Sequence, residues 1–257
     1  RDGLYEAYHE NEKLKNKINY KKGKTDGLFE TYDDKGKLMQ GLEEIYRDNG
    51  KLKQKTNYKN GKYDGLHKTY HGSGQLHWKT NYKEGKKEGL TEAFHENGKL
   101  KQKSNYKSDK RDGLEEVYYK DGNLKEIVNY KNDIPEGLFE TYYESGKLKH
   151  KMNYKDGKKE GLFELYHENG KLKQKSNFKN GKKAGVDETY DDKGNLKSRL
   201  KLKDGQVHGV LELYYEDGQL WSKVNYKDGK KEGLSEVFDN SGKLKSQRTY
   251  KNGKLED

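Results

Sequence analysis

The sequence predicts an all-β chain: an elongated single-layer antiparallel β-meander, a solenoid of stacked β-hairpins. Three observations predict it. A unit of 24 residues recurs, and its opening glycine stands at Gly3, Gly27, Gly41, Gly65, Gly89, Gly113, Gly137, Gly161, Gly185, Gly209 and Gly233. Apolar and aromatic residues alternate at period two inside each unit, the periodicity of a strand. Short clusters ending in glycine, such as Asp48-Asn49-Gly50 and Lys59-Asn60-Gly61, separate those alternating runs. A fixed period of this length decides the architecture before any single residue does.

Each element follows from its place in the unit. With the opening glycine as position 0, position 1 is Leu or Val, and position 3 is Glu except at Lys68. Position 5 is Tyr or Phe, and position 11 is Leu from Leu14 to Leu244. Position 17 is Tyr or Phe except at Leu202, and position 18 is Lys. The first strand is Gly-Leu-x-Glu-x-Tyr and the second Lys-Leu-Lys-x-Lys-x-Asn-Tyr. Parity predicts three-residue turns with Gly last, which would keep positions 1, 5, 11 and 17 on one face. The lysines of positions 12, 14 and 18 and the Asn of position 16 would then line the other face. About 21 strands at about 4.8 Å each would span about 100 Å. Stability in such a stack is close to one-dimensional.

The array is read as one continuous domain over residues 1–257, about ten repeats, with a shortened unit at 27–40. There the interval from Gly27 to Gly41 is 14 residues. The ten missing residues amount to a strand and a turn, so a merged strand from about Lys37 to Tyr46 and a local kink are expected. Asp109 and Asp133 replace the usual turn glycine. The chain opens on Arg1-Asp2-Gly3, which matches Arg111-Asp112-Gly113 late in a unit. That start suggests an upstream segment and favours a secreted or envelope location over the cytoplasm.

Composition bounds the function classes. Of the 257 residues only 28% are hydrophobic, 39% are charged and 22 are Tyr, too little apolar surface for a thick two-layer core. With no cysteine, disulfides, thiolate metal sites and Cys nucleophiles are excluded. The net charge of +11 raises nucleic acid as a partner. Yet 44 acidic residues interleave with 55 basic ones, the mark of a solvated face, so nucleic acid is disfavoured. No run of 18 apolar residues marks a transmembrane helix.

The words Asn57-Tyr58-Lys59-Asn60-Gly61-Lys62 and Asp64-Gly65-Leu66 recur at Asn81 to Leu90, Asn153 to Leu162 and Asn225 to Leu234. This pattern resembles the bacterial variant of the MORN repeat, found in proteins labelled YwqK-family antitoxins. The resemblance covers essentially the whole chain. It implies stacked β-hairpins acting as scaffolding, dimerising, or protein- and lipid-binding modules, and the antitoxin label implies a partner toxin. Tyr or Phe stands where eukaryotic MORN repeats often have Trp. Trp78 and Trp221 lie outside the aromatic rows.

The candidate partner-binding face comprises Tyr46, Tyr70, Phe94, Tyr118, Tyr142 and Tyr166 with Glu92, Glu116, Glu140 and Glu164. Carboxylates beside Tyr rings suit a basic peptide or a cationic ligand. The alternative reading is structural: each Glu accepts a Tyr hydroxyl or pairs with a cross-strand Lys. The eight histidines lack metal-ligand spacing and are read as surface residues. No nucleophile–base set, phosphate-binding loop or catalytic carboxylate pair is present, so neither an enzyme nor a cofactor is expected. The resulting reading is a non-enzymatic scaffold with a protein partner. A homodimer through the sheet face, an immunity role, and binding of glycans or anionic lipid remain open.

Overall fold

The computed structural model describes residues 2–256 and contains 23 strands and no helix among them. The chain forms two compact units. One comprises the residues up to Gly122 with Tyr130–Asp133, and the other Asn123–Asn129 with the residues from Ile134 on. Within each unit successive strands pair antiparallel with their sequence neighbours, as in a meander of hairpins.

The repeat Gly41–Asp64 shows the construction. Strand Leu38–Tyr46 pairs with Leu52–Lys59, from Gly41↔Tyr58 to Tyr46↔Leu52. The turn between them has three residues, as predicted. Arg47 N donates to Lys51 O at 2.8 Å, Gly50 N donates to Arg47 O at 2.9 Å, and Gly50 takes φ 74°. The second turn differs from the prediction. Lys59 pairs with Lys62, so the loop is the two residues Asn60 and Gly61, with φ 51° and 68°. Two consecutive left-handed residues make a type I′ turn, whose twist suits a hairpin.

A two-residue turn would by itself shift the rows. Bulges take up the difference. The pairing jumps from Tyr58↔Tyr63 to Thr56↔His67, so Asp64-Gly65-Leu66 lie opposite Asn57 alone. The Asn57 amide donates to Leu66 O at 3.1 Å, and Asn105 and Asn225 do the same for Leu114 and Leu234. The recurrent Asn is thus the clasp of a bulge. A second bulge lies at Ile45/Tyr46, next to the three-residue turn.

These bulges correct the predicted faces. Positions 5 and 17 lie on opposite sides. Tyr46 shares its side with Leu42, Glu44, Lys55 and Asn57, so the lysine of position 14 and the Asn of position 16 stand with the Glu row. Tyr58 shares the other side with Glu43, Ile45, Gln54 and Thr56. That second side holds the core. Position 15 is its centre, with Ile18, Thr56, Thr80, Ser104, Val128, Met152, Ser176 and Val224 all buried. Small side chains sink there between larger neighbours. In the first unit Tyr63 meets Tyr58 and Tyr82 edge-on at 5.1 and 5.2 Å. In the second, Phe139 meets Tyr154 at 5.9 Å and Phe163 meets Phe178 at 6.0 Å.

The short unit folds into the merged strand expected of it, Leu38–Tyr46. Its pairing with Lys24–Tyr32 is confined to Thr31↔Gln40 and Tyr32↔Leu38. Gly41 then takes φ 129°, and the chain re-registers against Tyr58. Gln40 lies beside Thr31, on the core side of the first repeats, where Phe29 pairs with Ile18. Two residues on, Leu42 belongs to the Glu/Tyr side of the next repeat. The rows therefore exchange sides at Gly41. Consistent with this, Glu43, on the core side of its own repeat, helps to raise the pKa of Tyr32, after burial and the Glu30 hydrogen bond.

Asp109 and Asp133 occupy left-handed turn positions at φ 70° and 67°. Each recovers part of the strain through its carboxylate. Asp109 accepts from Lys87 N at 2.8 Å, and Asp133 accepts from Arg111 N at 3.0 Å and Arg111 Nε at 3.2 Å.

Candidate functional site

The Glu/Tyr side carries a register-matched row of charge. In the first unit it runs Glu44↔Lys55↔Lys68↔Lys79↔Glu92↔Lys103↔Glu116. In the second it runs Glu140↔Lys151↔Glu164↔Lys175↔Glu188↔Arg199↔Glu212↔Lys223↔Glu236. Acid and base alternate except at Lys68, which leaves three successive lysines. Ion pairs close along the row: Lys55–Glu44 at 2.7 Å, Lys79–Glu92 at 2.8 Å, Lys103–Glu116 at 2.9 Å and Arg199–Glu188 at 2.9 Å. Directly opposed opposite charges stabilise a sheet modestly and suppress register slips.

The tyrosines of position 5 are tied to this row. Their hydroxyls donate to the Glu two residues back: Tyr46 to Glu44 at 2.6 Å, Tyr142 to Glu140 at 2.7 Å and Tyr190 to Glu188 at 2.7 Å. The structural reading of the Glu row thus describes its contacts. Glu44 is held below the usual carboxylate range first by Lys55 and then by the Tyr46 hydroxyl. Glu188 is lowered first by the Tyr190 hydroxyl and then by Arg199. Burial, then the hydrogen bond to Glu, pushes Tyr142 and Tyr190 up to about 12.

The structure brings the candidate residues together within each unit. Tyr46, Tyr70, Phe94 and Tyr118 share a side with Glu92 and Glu116 in the first. Tyr142 and Tyr166 share one with Glu140 and Glu164 in the second. Five of the six rings lie opposite the Leu of position 11 within their own unit: Tyr46↔Leu52, Tyr70↔Leu76, Phe94↔Leu100, Tyr142↔Leu148 and Tyr166↔Leu172. Tyr46, beside the short unit, is 56% exposed, and the other five are half-buried.

Three roles escape sequence reasoning. The histidines of position 6 join neighbouring repeats: Nε2 of His71 bonds Phe94 O at 3.0 Å, and Nε2 of His167 bonds Tyr190 O at 3.2 Å. Arg47, Tyr143 and Tyr215 reach the equivalent carbonyls of Tyr70, Tyr166 and Phe238, so geometry rather than imidazole chemistry selects the position. Where an acid precedes the opening glycine it caps the next type I′ turn, as where Glu84 N donates to Asp64 at 3.1 Å and Asn180 N to Glu160 at 2.7 Å. Finally, the core side buries carboxylates. Glu115 accepts from Ser104 at 2.7 Å and Gln102 at 2.9 Å, and Asp187 accepts from Ser176 at 2.8 Å and Gln174 at 3.0 Å. No group of three or more metal-ligating side chains suited to an ion occurs among the described residues.

The model of the MORN repeat variant matches residues 1–22, 39–60, 87–108, 111–132, 135–156, 159–180, 207–228 and 231–252, more than half of the chain. The chain belongs to the MORN repeat-variant family. The segments between these matches carry departures seen above: the short unit, Lys68 with its neighbouring histidines, and Val186 with Leu202. The MORN repeat variant is a repeat scaffold, which agrees with the stacked hairpins. No curated protein matches the array. Among solved structures, it is similar to a chain in the crystal structure of TcdB2-TccC3-Cdc42, with 11% identity and a TM-score of 0.19. The crystal structure of TcdB2-TccC3 gives 10% identity and the same TM-score. Each likeness covers 97% of this chain, which spans only 16% of the other. At such TM-scores the likeness carries no weight for fold or function.

Proposed function

We propose that this MORN array is a non-enzymatic scaffold that binds another protein through its Glu/Tyr side. One observation supports the reading above others. A row of half-exposed rings is held in place by hydroxyl–carboxylate bonds beside alternating charges in fixed register. Rings fixed before binding offer large amphipathic contact area at low cost in side-chain entropy. Alternating charge would set the register of the partner and reject mismatched ones. Tyr118 and Tyr142 are the anchors to test, with Glu116 and Glu140 as register-setting groups.

The test begins with capture of partners on the immobilised chain and their identification by mass spectrometry. Affinity for each stoichiometric partner is then measured for the Tyr118→Ala/Tyr142→Ala double variant. The reading expects a loss of at least tenfold, about 1.4 kcal/mol. Unchanged affinity in a variant that keeps its β-sheet circular dichroism would sink it.

A further inference from the structure

Shallow cavities form beside the three-residue turns of neighbouring repeats, and one of them differs in charge. In the first repeat the cavity is lined by Tyr8, His9, Glu10, Asn11, Lys15 and Asp34, which are positions 5 to 8 and 12 of one unit and position 7 of the next. In the second compact unit a cavity beside the corresponding turn holds Asp191, Asp192 and Glu216 against Lys193 and Lys197. Acid outnumbers lysine in both. The reason is position 7, which is Asp or Glu in every unit except at Gly72, Lys120 and Asn240.

The cavity of the repeat that opens at Gly89 inverts that balance. Its volume is about 370 Å³, and it lies between His71, His77, Phe94, His95, Lys101 and Lys120. Lys120 stands where the first repeat has Asp34, and Phe94 where it has Tyr8. The preceding repeat adds His71 and His77, whose rings lie 4.3 Å apart. Glu96 is the one carboxylate in the lining. Neither Lys101 nor Lys120 forms an ion pair among the described residues. The basic groups are also held in place. Nε2 of His71 bonds Phe94 O at 3.0 Å and Nε2 of His95 bonds Tyr118 O at 3.3 Å, which leaves Nδ1 of each ring unused. The Asn97 amide donates to Lys120 O at 2.8 Å and fixes the backbone from which that lysine projects. Burial, then His71 and Lys101, holds the His77 imidazole below its ordinary value. An anion relieves such an accumulation of like charge.

The lining identifies the chemistry that fits. Two fixed cations without a counter-ion suit a dianion, and the Phe94 ring, which has no hydroxyl, suits a flat apolar group. We propose that this cavity binds a small aromatic phosphate monoester, with the phosphate between Lys101 and Lys120 and the ring against Phe94. A phosphate monoester carries about −1.5 to −2 charges at neutral pH and three acceptor oxygens, enough for both ammonium groups and the His77 ring. A carboxylate would leave one lysine without a counter-charge. The volume falls in the range of small-molecule sites, about 300–1,000 Å³. The proposal stands apart from protein binding through the Glu/Tyr side: Lys101, Lys120 and His77 are outside its charge row, and the test needs no protein partner.

The test titrates the full chain with phenyl phosphate by calorimetry at neutral pH and low ionic strength, where exposed charges are least screened. Saturable binding is expected, with inorganic phosphate and benzoate each weaker. Lys120→Glu restores the acid that Asp34 and Glu216 supply in the other cavities and should weaken binding about tenfold or more, with Lys120→Gln losing less. Lys173→Glu makes the same change in net charge at another exposed lysine and should bind as the natural chain does. Unchanged β-sheet circular dichroism checks the fold of each variant. In proton NMR the ligand should shift the C2 proton of His77, identified by its loss in His77→Gln, and leave that of His208 in place. No binding at millimolar ligand, an equal loss in Lys173→Glu, or binding that leaves His77 unmoved would each overturn the proposal. So would benzoate binding as tightly as phenyl phosphate. Binding to vesicles of anionic lipid without binding to phenyl phosphate would also overturn it and would assign these basic groups to a membrane surface.

Discussion

Replacing Gly41 by Ala tests the geometry of the short unit most directly. Gly41 takes φ 129°, outside the left-handed well that other residues visit, and holding a residue with a Cβ there costs about 1–3 kcal/mol. A Cβ would stand 2.8 Å from Phe29 O, 2.8 Å from Glu30 Cγ and 3.0 Å from Glu30 Cα. Two of those atoms are backbone, so the strand Lys24–Tyr32 itself must move, at about 1–3 kcal/mol more. Removing glycine from the unfolded chain returns about 0.4–1 kcal/mol. The net loss is about 2–5 kcal/mol. Gly89→Ala is the control: its φ is 75° and nothing lies within 4 Å of the new Cβ, so about 0–1 kcal/mol is expected. The assay is native-state hydrogen exchange at the amides of Leu38 to Gln40 and Leu100 to Asn105, which reads each site locally in a one-dimensional stack. Losses at the two sites equal within about 0.5 kcal/mol would refute the close crossing at Gly41.

Three further outcomes follow from the rows. Glu115→Ala leaves Ser104 and Gln102 without their buried acceptor and should cost about 2–4 kcal/mol, measured by urea unfolding of the full chain, with Glu115→Gln losing less. Glu44 and Glu188 have depressed carboxyl pKa values, so the unfolded state binds protons first. Their contribution is complete above the ordinary value of 4.5 and is lost as pH falls through the folded values. Urea midpoints should drop on going from about pH 5 to about pH 3, and Glu188→Gln should flatten that slope. At the alkaline end Tyr32, Tyr142 and Tyr190 are raised from 10.0 to about 12, so stability present below pH 10.0 is lost as pH rises toward 12. Absorbance at about 295 nm, the phenolate band, should show late tyrosine ionisation coincident with loss of β-sheet circular dichroism; ionisation complete before unfolding would contradict it.

Much of this fold was legible because the repeat states it many times. The glycine period, the Glu and Tyr of the first strand and the Asn-Gly turn each name a local conformation, and the strand Leu38–Tyr46 follows from counting residues across the deletion. The sidedness was not legible from alternation alone. Alternation assumes unbroken strands, and this sheet is bulged twice per repeat, once at the Asp-Gly-Leu opposite Asn57 and once at Ile45/Tyr46. The bulges send Tyr58 to the side opposite Tyr46 and place the core at position 15, where residue types vary from Ser176 to Met152. A signal was nevertheless present: Gln54, Thr56 and Tyr58 alternate with Lys53, Lys55 and Lys59, which already separates an inner from an outer set. The recurrent Asn57 was the other clue, since an amide that accompanies Asp-Gly at a fixed distance is more economically a bulge clasp than a surface residue.

The short unit differs in kind from its neighbours for the same reason. In a complete unit, ten residues lie between position 13 and the next opening glycine, and that path carries one two-residue turn and one bulge. In the short unit Gln40 is followed directly by Gly41, so no bulge intervenes and the sides exchange. Only a residue without a Cβ can hold φ 129° against the backbone of Phe29 and Glu30 while that exchange occurs. Gly41 is therefore both the start of a repeat and the hinge at which the row of Glu6 and Glu30 ends and that of Glu44 begins. A partner that follows the Glu/Tyr side from Glu116 toward the first repeats meets the core-type side chains Phe29 and Gln40 beyond Leu42. The proposed binding through that side would therefore end at the short unit, and inserting a copy of residues 55–64 after Gln40, which restores the 24-residue period and the row across it, should lengthen the partner's footprint as seen by hydrogen exchange to include Glu30 and Tyr32.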